Sequence, residues 1–330
     1  MNAMNDIGAV QTILPKAPKC VSAWRSAAMV LAIGAAACFS MPEQLGLLTR
    51  IFVTALLVLS LDLVVGVAGL ATLGHAAMFG VGAYAAGNFA LHVAPDPLVG
   101  LAIGMVAGGV LALVSGLFLL RYQGFTFLML TVAVSQIMLS LAQKARDWTG
   151  GDDGLSGFMN SPLLGRFAFD LEGKVAAGYS LIVLVVLFYV ARRLVDSPFG
   201  LAVRGVHENR ARMAALGTPV FRRLLAVYTA AGLLAGAAGA LSAQTNAVVG
   251  LDSLSFALSA EILVMLVLGG AGNLNGALLG AAIFTMLHHT ASSINPYHWL
   301  FVVGFLLMAV VLISPAKALA LLRRRLGGVQ

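Results

Sequence analysis

Apolar runs long enough to cross a lipid bilayer recur along almost the whole chain, and few charges interrupt them. They lie near residues 26–41, 50–66, 70–92, 98–120, 123–143, 175–193, 224–243, 255–269, 276–291 and 299–315. About 20 apolar residues wound as a helix cover roughly 30 Å of hydrocarbon, because each residue rises about 1.5 Å. Ten such helices use most of an apolar inventory that makes up 60% of 330 residues, while charged residues supply only 10%. A soluble domain carries about 25% charge, so these residues could not cover a water-facing surface. The predicted fold class is therefore all-α, a polytopic membrane bundle of about ten transmembrane helices.

Charge placement gives the orientation. The segment 192–223 holds seven Arg against Asp196 and Glu208, and the C-terminal tail adds Lys317, Arg323, Arg324 and Arg325. Residues 144–174 carry four basic and five acidic side chains. Ten spans with a cytoplasmic N-terminus put the Arg-rich segment and both tails inside and the balanced segment outside, as the positive-inside rule demands. The net charge of +7 is thus explained by cytoplasmic loops, and no basic run interleaved with aromatics points to nucleic acid. The expected organisation is a cytoplasmic tail over 1–25 and one transmembrane domain over 26–330. Its two polar loops lie at about 144–174 outside and 194–223 inside. The basic start of the chain resembles a signal peptide, but the spans that follow favour a retained first helix.

No motif for covalent or nucleotide chemistry is present. The pair Gly173-Lys174 lacks the upstream Gly of a phosphate loop, His288-His289 has no HExxH context, and Cys20 and Cys38 have no metal-ligand spacing. We therefore expect no cofactor, no metal and no catalytic residue.

Two stretches are unusually rich in Gly: 66–87 (GVAGLATLGHAAMFGVGAYAAG) and 269–280 (GGAGNLNGALLG). Small residues let helices approach closely in lipid, and paired interrupted helices also mark translocation paths; the two readings are compatible. The ionisable groups within the runs that count as functional candidates are few: Asp62, His75 and Glu261. A structural hydrogen bond explains His75 better than a proton relay, and three scattered groups form no evident ion pathway. In the segment 197–223, Pro198 and Gly200 break the chain, about Leu201–Leu216 has helix-forming composition, and Gly217 and Pro219 stop it. A mixed apolar and basic helix of this kind lies on the membrane or docks into a partner.

Four stretches, in this order, resemble the LivM type of permease subunit from ABC importers for branched-chain amino acids. They are Gly69–Gly87 (with Leu73-Gly74-His75-Ala76-Ala77 and Gly82-Ala83-Tyr84), Thr149–Leu155 (TGGDDGL), Ser197–Gly217 with its Glu208-Asn209, and Glu261 through Leu268–Leu274 to Gly280. The resemblance covers about 50–315. Thr72, His207 and Ala277 depart from the usual Ser, Arg and Pro. The resemblance implies partners: a homologous second permease subunit, two cytosolic ATPase subunits that hydrolyse the ATP, and an external binding protein. It implies residence in the bacterial inner membrane and a small amino-acid substrate, with urea, short amides or aromatic acids as substrates of close relatives. It also makes 201–216 the ATPase-coupling segment, with Arg204, Glu208, Asn209, Ala214, Ala215 and Gly217 at the contact. Translocation-path candidates are Gly74, His75, Gly82, Tyr84, Glu261, Gly269, Gly270 and Asn273. A half-helix N-terminus among the Gly-rich elements would meet the substrate carboxylate. A secondary transporter or channel, and after it a membrane-embedded enzyme, are the competing classes.

Overall fold

A computed structural model describes residues 23–40, 42–158, 161–162, 173–294 and 304. Its helices are α1 (Ala23–Ser40), α2 (Leu45–Asp62), α3 (His75–His92), α4 (Pro97–Leu119), α5 (Phe125–Lys144), α6 (Arg146–Thr149), α7 (Lys174–Val195), α8 (Pro198–Glu208), α9 (Arg210–Ala215), α10 (Val220–Asn246), α11 (Phe256–Gly269) and α12 (Leu274–Ile294). Two short strands, β1 (Leu155–Ser156) and β2 (Val248–Val249), pair antiparallel.

Helix α2 is the axis of the bundle. Every residue from Ala55 to Asp62 is buried, and α7, α10, α11 and α12 pack around it. Beyond Asp62 it widens into a π turn, Leu63–Val67. Against this axis stands a second unit, α3, α4 and α10, joined through backbone rather than side chains. A Cβ added to Gly82 would lie 2.5 Å from the Gly236 Cα, one on Gly104 2.8 Å from the Gly82 carbonyl oxygen, and one on Gly108 2.6 Å from the Gly232 carbonyl oxygen. Carbon atoms cannot approach so closely, so glycine is what permits these helices to touch.

The outward surface is as apolar as the core. Val106, Val110, Val114 and Leu117 on α4, Ile137 and Leu141 on α5, and Ile182, Val186 and Val190 on α7 are all exposed. Stripes of this size and composition have hydrocarbon as their natural solvent. Six helices (α1, α2 with its π turn, α4, α5, α7 and α10) are long and apolar enough to span a bilayer. Helices α11 and α12 meet at a 117° bend, as one broken span or a re-entrant pair. The expected span near 70–92 is the 18-residue α3, short and Gly-rich, and the expected run 299–315 lies outside the described residues. Thus six spans, or seven with the bent pair, are seen among the described residues, where the sequence gives ten runs.

The helix expected over Leu201–Leu216 is two helices. Pro198 starts α8 at its first turn, with the Ser197 hydroxyl accepting from the Gly200 N–H (3.3 Å). Asn209 is extended (φ −156°) and ends α8, while its side-chain carbonyl caps α9 by accepting from the Arg212 N–H at 2.9 Å. A composition of good helix formers conceals such a break, because Asn at an N-cap gains what it loses inside a helix. The C-terminal stop falls where expected: Gly217 is left-handed (φ +80°) and the Thr218 N–H reaches back to the Met213 carbonyl at 3.1 Å.

Candidate functional site: a polar cavity and an exposed helical cap at opposite ends

The bundle has two chemically distinct ends. At one, a cavity of about 990 Å³ opens between the start of α2, the end of α10, α11 and α12. This is the scale of a small-molecule site. Val53, Phe79, Leu258, Met265 and Phe284 supply apolar wall, Thr49, Thr54, Ser242 and Thr285 supply hydroxyls, and Arg50, Asp252, Glu261 and His288 supply charge or a titratable ring. The Thr54 and Thr285 hydroxyls lie 3.3 Å apart and tie α2 to α12. Arg50 is within electrostatic reach of both Glu261 and His288.

The 149–155 loop forms the rim of this end. Gly150, Gly151 and Gly154 all have positive φ, which explains glycine at these three positions. Thr149 gives its hydroxyl proton to the Ala142 carbonyl and accepts from the Gly151 N–H at 3.2 Å. Leu155 and Ser156 then pair with Val249 and Val248 just past α10, and Phe158 enters the cavity wall.

At the other end lie α8 and α9. Val203 and Val206 are fully buried beneath α8, while Glu208, Asn209, Ala214, Ala215, Leu216 and Gly217 are exposed. Leu201 at the start of α8 and Leu216 at the end of α9 are exposed apolar side chains, 61% and 73%, and α9 also carries Arg210 and Arg212. Arg204 is half-buried and turned toward the bundle, within electrostatic reach of Asp62. Of the expected coupling residues, it alone faces inward.

The eight path candidates separate. Glu261 lines the cavity. Gly74 abuts the Thr131 backbone, Gly82 joins α3 to α10, and Tyr84 is buried beside Leu155 and Phe158. His75 is buried, with Nε2 2.7 Å from the Ser60 oxygen; Ser60 gives its own proton to the Leu57 carbonyl (2.6 Å), so the ring donates. That chain ends on a backbone carbonyl, the structural hydrogen bond expected. Gly269, Gly270 and Asn273 form the α11–α12 turn at the α8 end, where Gly269 packs directly on Gly276.

Neither helix start among the Gly-rich elements lines the cavity. The α3 N-terminus is closed, because the Ala76 N–H donates to Ser259 Oγ at 3.0 Å, and α12 begins far from the cavity. The helix starts that border the cavity are those of α2 at Gly46, α7 at Gly173 and Ala176, and α11 at Leu258. Sequence reasoning missed Arg50, Thr54, Ser242, Thr285 and His288. Each sits within a long helix and carries no local motif; only the packing of three helices, α2, α10 and α12, unites them.

A helical membrane bundle with a solute-sized polar cavity at one end and an exposed helical cap at the other is the architecture of a permease. The chain belongs to the family of branched-chain amino acid transport system permease components, whose family model matches residues 44–311. It is 28% identical over 292 residues to the high-affinity branched-chain amino acid transport permease LivM of Salmonella typhimurium, covering 80% of this chain and 67% of that one. The LivM protein of Escherichia coli is 27% identical over 291 residues, again 80% and 67% of the two chains. An L-arabinose ABC transporter permease, AraH of Azospirillum brasilense, is 29% identical over 229 residues, 65% of this chain and 63% of that one. No solved structure matches the chain.

Proposed function

We propose that the chain is one of two homologous permease subunits of an ATP-driven importer for branched-chain amino acids. Two cytosolic ATPases and an external substrate-binding protein complete the machine. It sits in the bacterial inner membrane with both termini in the cytoplasm and crosses about ten times.

The observation that carries this reading is the two-ended bundle. Residues 46–54, 149–158 and 242–261 gather at the cavity, whereas 62–70, 197–223 and 269–273 gather at the α8 end. The Arg-rich segment therefore stands opposite the cavity mouth, as positive-inside orientation requires of an outward-facing cavity. The exposed faces of α8 and α9 fit a groove on an ATPase, with Glu208 at the end of α8 and Ala214, Ala215 and Gly217 allowing close approach. In the cavity, an amino acid places its carboxylate toward Arg50, its ammonium toward Glu261, and its branched side chain on Val53, Phe79 and Met265. Such a site binds weakly, since the external protein delivers selected solute.

The test is uptake into proteoliposomes holding the assembled importer. Transport should require ATP inside and the binding protein outside, with leucine, isoleucine and valine competing and urea and benzoate not. Uptake by this chain alone would instead identify a secondary transporter or channel. The arabinose relative favours one variation, another small solute in the same importer class; sugar or amide competition in that assay would select it.

A further inference from the structure

Asp62 occupies the junction of three elements. It is fully buried where α2 becomes the π turn, and π turns inside helices concentrate at functional positions. Its Oδ1 accepts a 2.6 Å hydrogen bond from the Gly272 N–H, in the turn between α11 and α12. Its Oδ2 has no hydrogen-bond partner among the described residues.

The contact is backbone-tight. A Cβ on Gly66 would strike both the Asp62 carboxylate and the Gly272 nitrogen, and would lie 2.8 Å from the Gly272 Cα. Gly272 and Gly270 have φ of +86° and +88°, so the turn rests on the π turn in a conformation that glycine allows. On the opposite side, the π turn packs against α8. The ring of His207, at the end of α8, lies over Gly69, whose added Cβ would come 2.7 Å from the ring's Cγ.

These contacts form one mechanical series: α8, the π turn with Gly69, Asp62, the Gly272 turn, and then α11 and α12, which carry Glu261, Met265, Phe284 and Thr285 in the cavity wall. We propose that Asp62 is a positioning residue that couples α8 to the cavity wall, its carboxyl oxygen holding the α11–α12 turn onto α2 so that displacement of α8 tilts both helices. This rests on the reading of α8 as the surface moved by the ATPase. The joining bond itself needs only an acceptor, and an amide carbonyl accepts equally well, while Arg204 of α8 lies within electrostatic reach of the carboxylate. Coupling between sites is an energy that both sites share, and spatial continuity becomes coupling only when a variant changes one readout and spares the other.

The experiment compares Asp62→Asn, Asp62→Leu and His207→Ala in the complete importer in proteoliposomes. It measures co-purification of the ATPase subunits, ATP hydrolysis and solute uptake. Asp62→Leu should assemble and hydrolyse ATP within about twofold of the parent while uptake falls at least about tenfold, a loss within the range of allosteric coupling. Asp62→Asn should keep uptake within about threefold, and His207→Ala should lower uptake per ATP by about threefold. Parental uptake per ATP in Asp62→Leu overturns the proposal, as does equal loss in Asp62→Asn and Asp62→Leu. Should Asp62→Leu fail to assemble, His207→Ala decides, and a parental ratio there overturns it. A parent importer that transports without ATP would fail the functional reading itself, a result distinct from all of these.

Discussion

Single side chains decide what the cavity can hold. Arg50 and Glu261 bring opposite charges to walls formed by different helices, and an amino acid presents opposite charges to both. Hydrogen bonds to charged groups contribute about 1.5–3 kcal/mol. Arg50→Gln and Glu261→Gln are therefore each expected to raise the uptake KM by about tenfold or more, with ATPase assembly unchanged by co-purification. Truncating the wall at Phe284, which is both buried and cavity-lining, should cost about 3–5 kcal/mol of stability, read as a lower thermal midpoint in detergent. The hydrogen bond of His75 was legible from its Gly and Ala neighbours, and the ring makes it with Ser60. Arg50 was not, because an arginine near the end of an apolar run reads first as an interfacial anchor.

Elements show why glycine is so abundant. Gly104 and Gly108 on α4, and Gly232 and Gly236 on α10, are each four residues apart and place a bare strip on each helix, and both strips meet Gly82 of α3. Gly236→Leu should force α4 away from α10, at a cost of about 1–3 kcal/mol or more, seen as loss of folded protein by size-exclusion fluorescence. At the α8–α9 break the prediction is milder. Asn209→Ala removes a cap worth about 1 kcal/mol and should let α8 run on, lowering uptake while membrane abundance is kept. Gly217 has nothing within 4 Å of an added Cβ, so a bulky residue there projects from the surface; its positive φ makes any replacement strained. Gly217→Trp is expected to abolish uptake and ATPase co-purification while the protein stays in the membrane. Normal uptake by that variant would remove the docking assignment.

For the whole molecule, the apolar runs and the sparse charges between them were enough to define a membrane helix bundle, because hydrocarbon imposes the same demand on every span: satisfy the backbone within the helix and keep charges at the ends. Nine of the ten apolar runs fall on described helices of the bundle, with boundaries displaced by a few residues. Local sequence also determined the caps at Ser197 and Gly217, since those depend on neighbours along the chain. Tertiary structure alone decided the rest. It made the Gly82 strip a packing surface, closed the α3 N-terminus with Ser259, and drew Arg50, Glu261 and Thr285 from separate helices into one cavity. It also set Asp62 against Gly272, 210 residues away. An apolar helix has no strong preference for which neighbour it packs against in lipid, so pairings come from close steric fit between distant surfaces. That fit belongs to the folded bundle and leaves no periodic mark on the sequence.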